Sequence, residues 1–251
     1  MLLQGAGQAL CVWQQRTEAI CFLDVGQGDG ILIRSPDGRN IVIDGGSTSQ
    51  SKCGTYTLLP ALRSQGMTEI DCWFVTHTDE DHISGLKELL LQGKLTQIKV
   101  RTVVFSTYVF QDAALAELEA VIRAAGITIV WMREGDVIGD DTFTLTCLYP
   151  TAEYRAKDKN AASLALAYHS DTFDMLFTGD MDADAVAAGV EKAHEEISIL
   201  QYNDENSLSC TIQLAFYFAR EYYTMVRELP AGKGFADVCM IPRPCHLDKP
   251  A

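Results

Sequence analysis

Short apolar runs separated by turns built on glycine, aspartate and proline dominate the first 180 or so residues of this chain. Runs of β-branched and aromatic residues predict strands at Ala19–Val25, Ile31–Ile33, Ile41–Ile43, Ile70–Thr76, Ile127–Trp131, Thr142–Tyr149, Ser163–His169 and Phe173–Thr178. Wider periodicity predicts helices over Leu58–Gln65, ended by Gly66, over Ile83–Leu91, and over Ala113–Ala125, ended by Gly126. The turn Ser35-Pro36-Asp37-Gly38 between two β-branched runs reads as a hairpin. Gly26-Gln27-Gly28-Asp29-Gly30 lacks the spacing of a dinucleotide fingerprint and is followed by a strand, so it too reads as a tight hairpin turn.

The elements run strand-rich with interspersed helices and no regular βαβ repeat, which predicts an α/β (α+β) fold with helices outside two sheets. The character changes after about Ile199, where a helix-like segment Leu208–Tyr223 follows a polar stretch. Two units are therefore expected, residues 1–195 and 196–251. A hydrophobic content of 47% with 22% charged residues suffices for a core and excludes a disordered chain. The net charge of −14 disfavours generic binding of nucleic acid or anionic membrane, yet it does not exclude a nucleic acid held at a metal site, where cations reverse the local sign. The eight cysteines form no CxxC pair, and several sit in apolar runs, so reduced, buried thiols are expected. No run of about 18 apolar residues predicts a membrane span. The first residues lack the basic and continuous apolar regions of a signal peptide, so a cytoplasmic location is expected.

The candidate chemistry lies in Thr76-His77-Thr78-Asp79-Glu80-Asp81-His82, directly behind the apolar Cys72-Trp73-Phe74-Val75. Two imidazoles and three carboxylates at the end of a buried strand can converge on divalent cations. A solvated acidic loop would need neither histidine. A second apolar strand ends in Phe177-Thr178-Gly179-Asp180, which makes Asp180 a candidate bridge between two ions at the spacing of about 3.5–4 Å used in two-metal hydrolysis. Asp44, in Ile43-Asp44-Gly45-Gly46, is expected outside the ligand set, orienting ligands or loop, or else serving only to cap its turn.

These pieces, with Phe22-Leu23-Asp24-Val25-Gly26-Gln27-Gly28-Asp29 and Lys159-Asn160-Ala161-Ala162-Ser163-Leu164, resemble the metallo-β-lactamase fold superfamily. The nearer resemblance, over about residues 17–190, is to the soluble hydrolase-like domain of ComEC-type competence proteins, which import DNA during natural transformation. It implies a four-layer αββα sandwich with the site at strand ends between the sheets. It also implies two divalent ions, zinc or manganese: His77 and Asp79 on one, Asp81 and His82 on the other, Asp180 between them. A hydroxide generated on the metal would attack a phosphodiester, in DNA or a small molecule, with Asp81 essential to catalysis. The His-His-Gly-Ser-like segment that completes the site in that family has no counterpart here. His169 is expected to be structural and His194 to face solvent. The alternative is an inactive or truncated scaffold of the same fold.

The last stretch has a different likeness. Leu200 to Ser209 and Val226 to Asp237 resemble the PD-(D/E)XK nuclease-like domain found behind some AAA-type ATPase modules, with Glu205 and Asp237 at two of its acidic positions. No Glu-x-Lys pair follows, so an incomplete, inactive α/β fragment is expected. The oligomeric state is left open.

Overall fold

A computed structural model of the chain describes residues 18–152, 158–172 and 174–181 in full, and residues 223–231 and 234–242 as backbone. Six strands form one sheet in sequence order: β1 (Ala19–Phe22), β2 (Gly30–Arg34), β3 (Asn40–Asp44), β4 (Glu69–Phe74), β5 (Lys99–Ser106) and β6 (Thr128–Met132). β1 to β3 are antiparallel neighbours, whereas β3 to β6 are parallel. A second, antiparallel sheet holds β7 (Val137–Gly139), β8 (Phe143–Tyr149), β9 (Ala165–Ser170) and β10 (Asp174–Phe177) in the order β10-β9-β8-β7. Helix α1 (Leu59–Ser64), entered through a π-helical turn at Gly54–Leu58, joins β3 to β4. Helices α2 (Glu80–Gln92) and α3 (Ala113–Ala124) make the next two crossovers.

The two-residue period of a strand sorts the apolar residues between two cores. Leu32, Val42, Trp73, Val75, Val103 and Phe105 face the helices, where they meet Leu62, Ile83, Leu86, Leu118 and Ile122. Their neighbours Ile31, Ile33, Ile41, Ile43, Phe74 and Val104 point the other way, onto Phe143, Leu145, Leu166, Tyr168 and Phe177 of the second sheet. Leu148, Ala167 and Leu176 form a third buried cluster. Two facing sheets with helices on one outer side are thus present among the described residues.

Three sequence expectations change. β5 was not among the predicted strands, because Lys99, Arg101 and Thr102 interrupt its apolar run; the strand is nonetheless buried by parallel neighbours on both sides. With β5 in place, β3-α1-β4-α2-β5-α3-β6 is a regular βαβ succession, contrary to the expectation from sequence, and it builds the parallel half of the larger sheet. The glycine-rich segment after β1 does close an antiparallel hairpin, but not by a tight turn: β1 ends at Phe22, and seven residues pass before β2. In the C-terminal stretch, β11 (Tyr223–Ala231) and β12 (Gly234–Pro242) pair as an antiparallel hairpin, with Asp237 on β12. The expected boundary at 195/196, Glu205 and most of the helix-like segment before Tyr223 lie outside the described residues. No described helix is long and apolar enough to cross a membrane.

Cys21, Cys53, Cys72 and Cys147 are free thiols. Burial pushes Cys72 up to about 11 and Cys147 up to about 12. At pH 8 the thiolate fractions are then about one in a thousand and one in ten thousand, and the thiolate is the species that reacts. Alkylation of these two positions, followed by peptide mass spectrometry, should be more than about 100-fold slower in the folded chain than in urea, and should quicken as pH rises. Equal labelling rates in the two states would contradict their burial in the core.

Candidate metal centre

The parallel strands deliver the site. β3 ends in Asp44, β4 runs on through Val75 to Thr76 and His77, and α2 starts immediately afterwards, with Asp79 as its N-cap and Glu80 and Asp81 in its first turn. A helix N-terminus carries partial positive charge and tolerates this density of carboxylates. The connection between β10 and the residues after it brings Asp180 to the same edge.

Asp44 organises both histidines. Its backbone sits at φ 56°, a left-handed conformation that aspartate adopts more readily than most side chains. The carboxylate, 1% exposed, accepts from the Thr76 backbone N–H at 2.8 Å and from the Thr76 hydroxyl at 2.7 Å. His82 Nδ1 lies 2.9 Å from the same Oδ2. A carboxylate can only accept, so Nδ1 of His82 carries the proton and Nε2 is turned the other way. The Thr76 hydroxyl hydrogen is committed to Asp44, so its oxygen accepts from His77 Nδ1 at 3.2 Å, with Ser163 Oγ at 3.3 Å from the same nitrogen. That assignment leaves Nε2 of His77 bare.

The two rings stand close, 3.9 Å between centroids. Nε2 of His82 is 3.4 Å from Asp180 Oδ2, and Nε2 of His77 is 3.9 Å from the same oxygen. His77 is 1% exposed, and its Nε2 has no hydrogen-bond partner. The Thr78 hydroxyl in the same loop is also buried without one. An orphaned buried nitrogen aimed at a carboxylate costs free energy unless something fills the space between them. His77, His82 and Asp180 offer atoms that all lie within 4.8 Å of one another, and so do Asp29, Asp44 and His82. Both groups fit a divalent ion in chemistry; in the second, the His82 nitrogen is already bonded to Asp44, so the first is the better-prepared pocket.

Electrostatics mark the same atoms. Burial pulls His82 down, but the charges and hydrogen bonds of Asp44 and Asp180 overcome it and hold the imidazole well above its usual value. Burial and the neighbouring His82 hold His77 below its own. Burial pushes Asp180 up, yet the hydrogen bond and charge of His82, with His77, leave it below the usual carboxylate range. Burial raises Asp29 to about 6 despite the opposing pull of His82, with Asp44, Asp180 and Asp81 adding to the rise.

The expected residues are placed as follows. His77, His82 and Asp180 converge, and Asp44 stands behind them as an orienting group. Asp79 is half-exposed: Oδ2 is 3.7 Å from His77 Nε2, while Oδ1 is ion-paired to Lys159 at 2.9 Å. Asp81 enters neither convergent group of the described residues; it lies near enough to Asp29 to raise that carboxyl, and its backbone oxygen accepts from Asp29 N at 3.2 Å. His169 pairs with Asp174 across β9 and β10 at 2.6 Å, as a structural histidine does. His194 lies outside the described residues. Asp29 and Lys159 were missed as participants. A signal for Asp29 existed, since it follows a glycine beside a buried strand as Asp180 does.

Comparison with known proteins places these observations. Residues 23–146 match the metallo-β-lactamase superfamily. The chain is 30% identical over 174 residues to ComE operon protein 3 of Bacillus subtilis (strain 168), an alignment covering 64% of this chain and 22% of that protein. It therefore spans about a fifth of that relative's length. Among solved structures, it is similar to the metallo-β-lactamase fold protein YhfI of Bacillus subtilis, with TM-score 0.39 and 18% identity over 61% of this chain and 55% of that one. It is also similar to Zn(2+)-bound PqqB of Methylobacterium extorquens, with TM-score 0.40 and 11% identity over 64% and 56% of the two chains. A third likeness is to CmlA, a diiron β-hydroxylase of Streptomyces venezuelae, with TM-score 0.43 and 17% identity over 72% and 33%.

Proposed function

We propose, for a chain that carries a metallo-β-lactamase superfamily domain related to ComE operon protein 3 and has that superfamily's α/β fold, a metal-dependent hydrolase acting on phosphodiesters, in DNA or in a small molecule. The observation that carries this reading is the bare, buried Nε2 of His77 facing Asp180 beside Nε2 of His82. His77, His82 and Asp180 would hold one divalent ion, with Asp79 at its edge. The carboxylate-rich neighbourhood of Asp29 and Asp81 would hold a second. A donor set of this kind suits manganese as well as zinc. When bound, such ions supply Lewis acidity that makes water nucleophilic at neutral pH and offsets charge on a phosphodiester. They also reverse the sign of an otherwise acidic site, which an anionic substrate needs in a chain of net charge −14.

The chain's own residues do the rest. Asp44 orients both imidazoles so that Nε2 faces Asp180, directly for His82 and through Thr76 for His77; His77 Nε2 is bare, and the proton on His82 Nε2 would leave when an ion takes its place. Ser163, fully buried on the segment before β9, backs His77. Asp81, on the first turn of α2, contributes its carboxylate.

The test is hydrolysis of bis(p-nitrophenyl) phosphate and single-stranded DNA by the full chain loaded with manganese or zinc, run beside a lactone and a thioester. Diester cleavage that a chelator stops, and that Asp81→Ala lowers more than about 100-fold without altering the far-UV circular dichroism, is the expected result. Turnover unchanged in Asp81→Ala removes that residue from the site. Cleavage of the lactone or thioester alone redirects the substrate, and a purified chain that takes up no metal leaves only a scaffold.

A further inference from the structure

Asp79 and Asp112 are both N-cap residues, of α2 and α3, and their two carboxylates are joined by one lysine. Lys159 Nζ lies 2.9 Å from Asp79 Oδ1 and 2.7 Å from Asp112 Oδ2. The two caps behave differently. Asp112 caps its helix in the ordinary way, Oδ1 accepting from Leu115 N at 2.9 Å, and uses the other oxygen for the lysine. Asp79 has the extended backbone of an N-cap but makes no side-chain cap hydrogen bond. Its carboxylate forgoes an interaction that commonly stabilises a helix. It is turned instead so that one oxygen meets Lys159 and the other points towards the orphaned His77 Nε2, 3.7 Å away.

Stability does not account for this arrangement. The side chains of Lys159, Asp79 and Asp112 are 28%, 38% and 19% exposed, and ion pairs that open to solvent contribute little. Lys159 belongs to the segment that also carries Ser163, behind His77, and Leu164, whose N–H donates to Thr76 O at 2.9 Å. One short stretch thus braces both His77 and Asp79 from behind. Among the described ion pairs, Lys159 is the only lysine or arginine that contacts a carboxylate of the site.

We infer that Lys159 is the positioning residue of the metal centre: anchored by the N-cap of α3, it holds Asp79 away from the N–H groups of α2 and presents Asp79 Oδ2 to an ion on His77. The inference rests on the metal reading above. Without the lysine, Asp79 falls back to the neighbouring cap interaction and withdraws from the site. The ammonium also offsets repulsion between Asp79 and Asp180 before an ion arrives.

Isothermal titration of the full, chelator-stripped chain with manganese alone tests this. Lys159→Met should weaken binding about 10- to 100-fold, the loss typical when a partner that orients a ligand is removed. Lys159→Arg, which keeps the charge and can reach both carboxylates, should recover most of it, and Asp112→Asn should give a smaller loss. The unfolding midpoint in chelator should not fall in Lys159→Met, because the regained cap offsets the lost ion pairs, whereas a merely structural role would lower it. Wild-type chain that binds manganese, with Lys159→Met binding it as tightly or more tightly, overturns the inference while leaving the metal reading intact. Wild-type chain that binds none removes both.

Discussion

Replacing His82 with alanine is expected to abolish metal binding and to destabilise the fold at once. His82 is the one side chain shared by the two convergent groups, with Nε2 3.4 Å from Asp180 and Nδ1 2.9 Å from Asp44. Loss of an orienting partner alone costs about 10- to 100-fold in metal affinity, so loss of a ligand should exceed about 100-fold. The same change leaves Asp44, 1% exposed, without its imidazole, and breaking a buried charged pair costs about 3 kcal/mol or somewhat more. His82→Asn separates the two effects. Its amide nitrogen can stand near the Nδ1 position and donate to Asp44, so stability should largely return while metal affinity does not. Metal content by plasma mass spectrometry and urea unfolding in chelator read the two quantities independently. Retention of a full complement of metal by His82→Ala would place the ion elsewhere.

The second large effect is expected from a single methyl group. A Cβ on Gly46 would stand 2.5 Å from Asp81 C, 2.6 Å from Glu80 O and 2.6 Å from His82 N. All three are backbone atoms of the first turn of α2, so nothing flexible can move aside. The loop after β3 and the start of the helix must separate, and the glycine-rich loop with them, since Gly46 N donates to Asp29 O at 3.1 Å. Gly46→Ala should therefore cost about 3 kcal/mol, near the upper end for overpacking, or roughly 10 °C in unfolding midpoint for a chain of this size. It should also weaken metal binding, because Asp44 and His82 lie on the two sides of the clash. Gly38→Ala is the control: its φ is +89° but nothing lies within 4 Å of the new Cβ, so only about 1 kcal/mol of backbone strain is expected. Equal midpoints for the two variants would contradict the close packing of loop on helix.

Gly46 also shows how far a sequence can be read. Ile43-Asp44-Gly45-Gly46 is visible as a strand end and a turn, and its glycines are explained locally by that turn. The stronger reason for Gly46 is a helix whose first residue lies more than thirty positions further on, and no local pattern records that approach. β5 was hidden for a related reason. Its charged Lys99 and Arg101 lie towards the exposed end of a strand whose later residues Val103, Val104 and Phe105 are fully buried. Missing it concealed the βαβ succession, although the expectation of two sheets survived because it rested on the other strands.

His77, His82 and Asp180 were legible because imidazoles and carboxylates crowded behind apolar runs are rare without chemistry to perform. Asp29 was not singled out, because its segment reads equally well as a plain turn, and only the seven-residue excursion between β1 and β2 carries it to His82. Lys159 could not be singled out, since a lysine in a polar loop has no local signature.

What the sequence by itself determined is the alternation that sorts apolar residues into two cores, and the crowding of metal-binding groups at the ends of two strands, since both are properties of neighbours along the chain. Only the tertiary structure decided how those groups divide their atoms: Asp44 between Thr76 and His82, Asp79 between Lys159 and His77, Asp180 beneath two imidazoles. Hydrogen bonds and ion pairs act over about 3 Å. Apart from Asp79 and His77, the partners here are separated by tens of residues, so their choice waits until β3, β4, α2 and the segment before β9 have packed against one another.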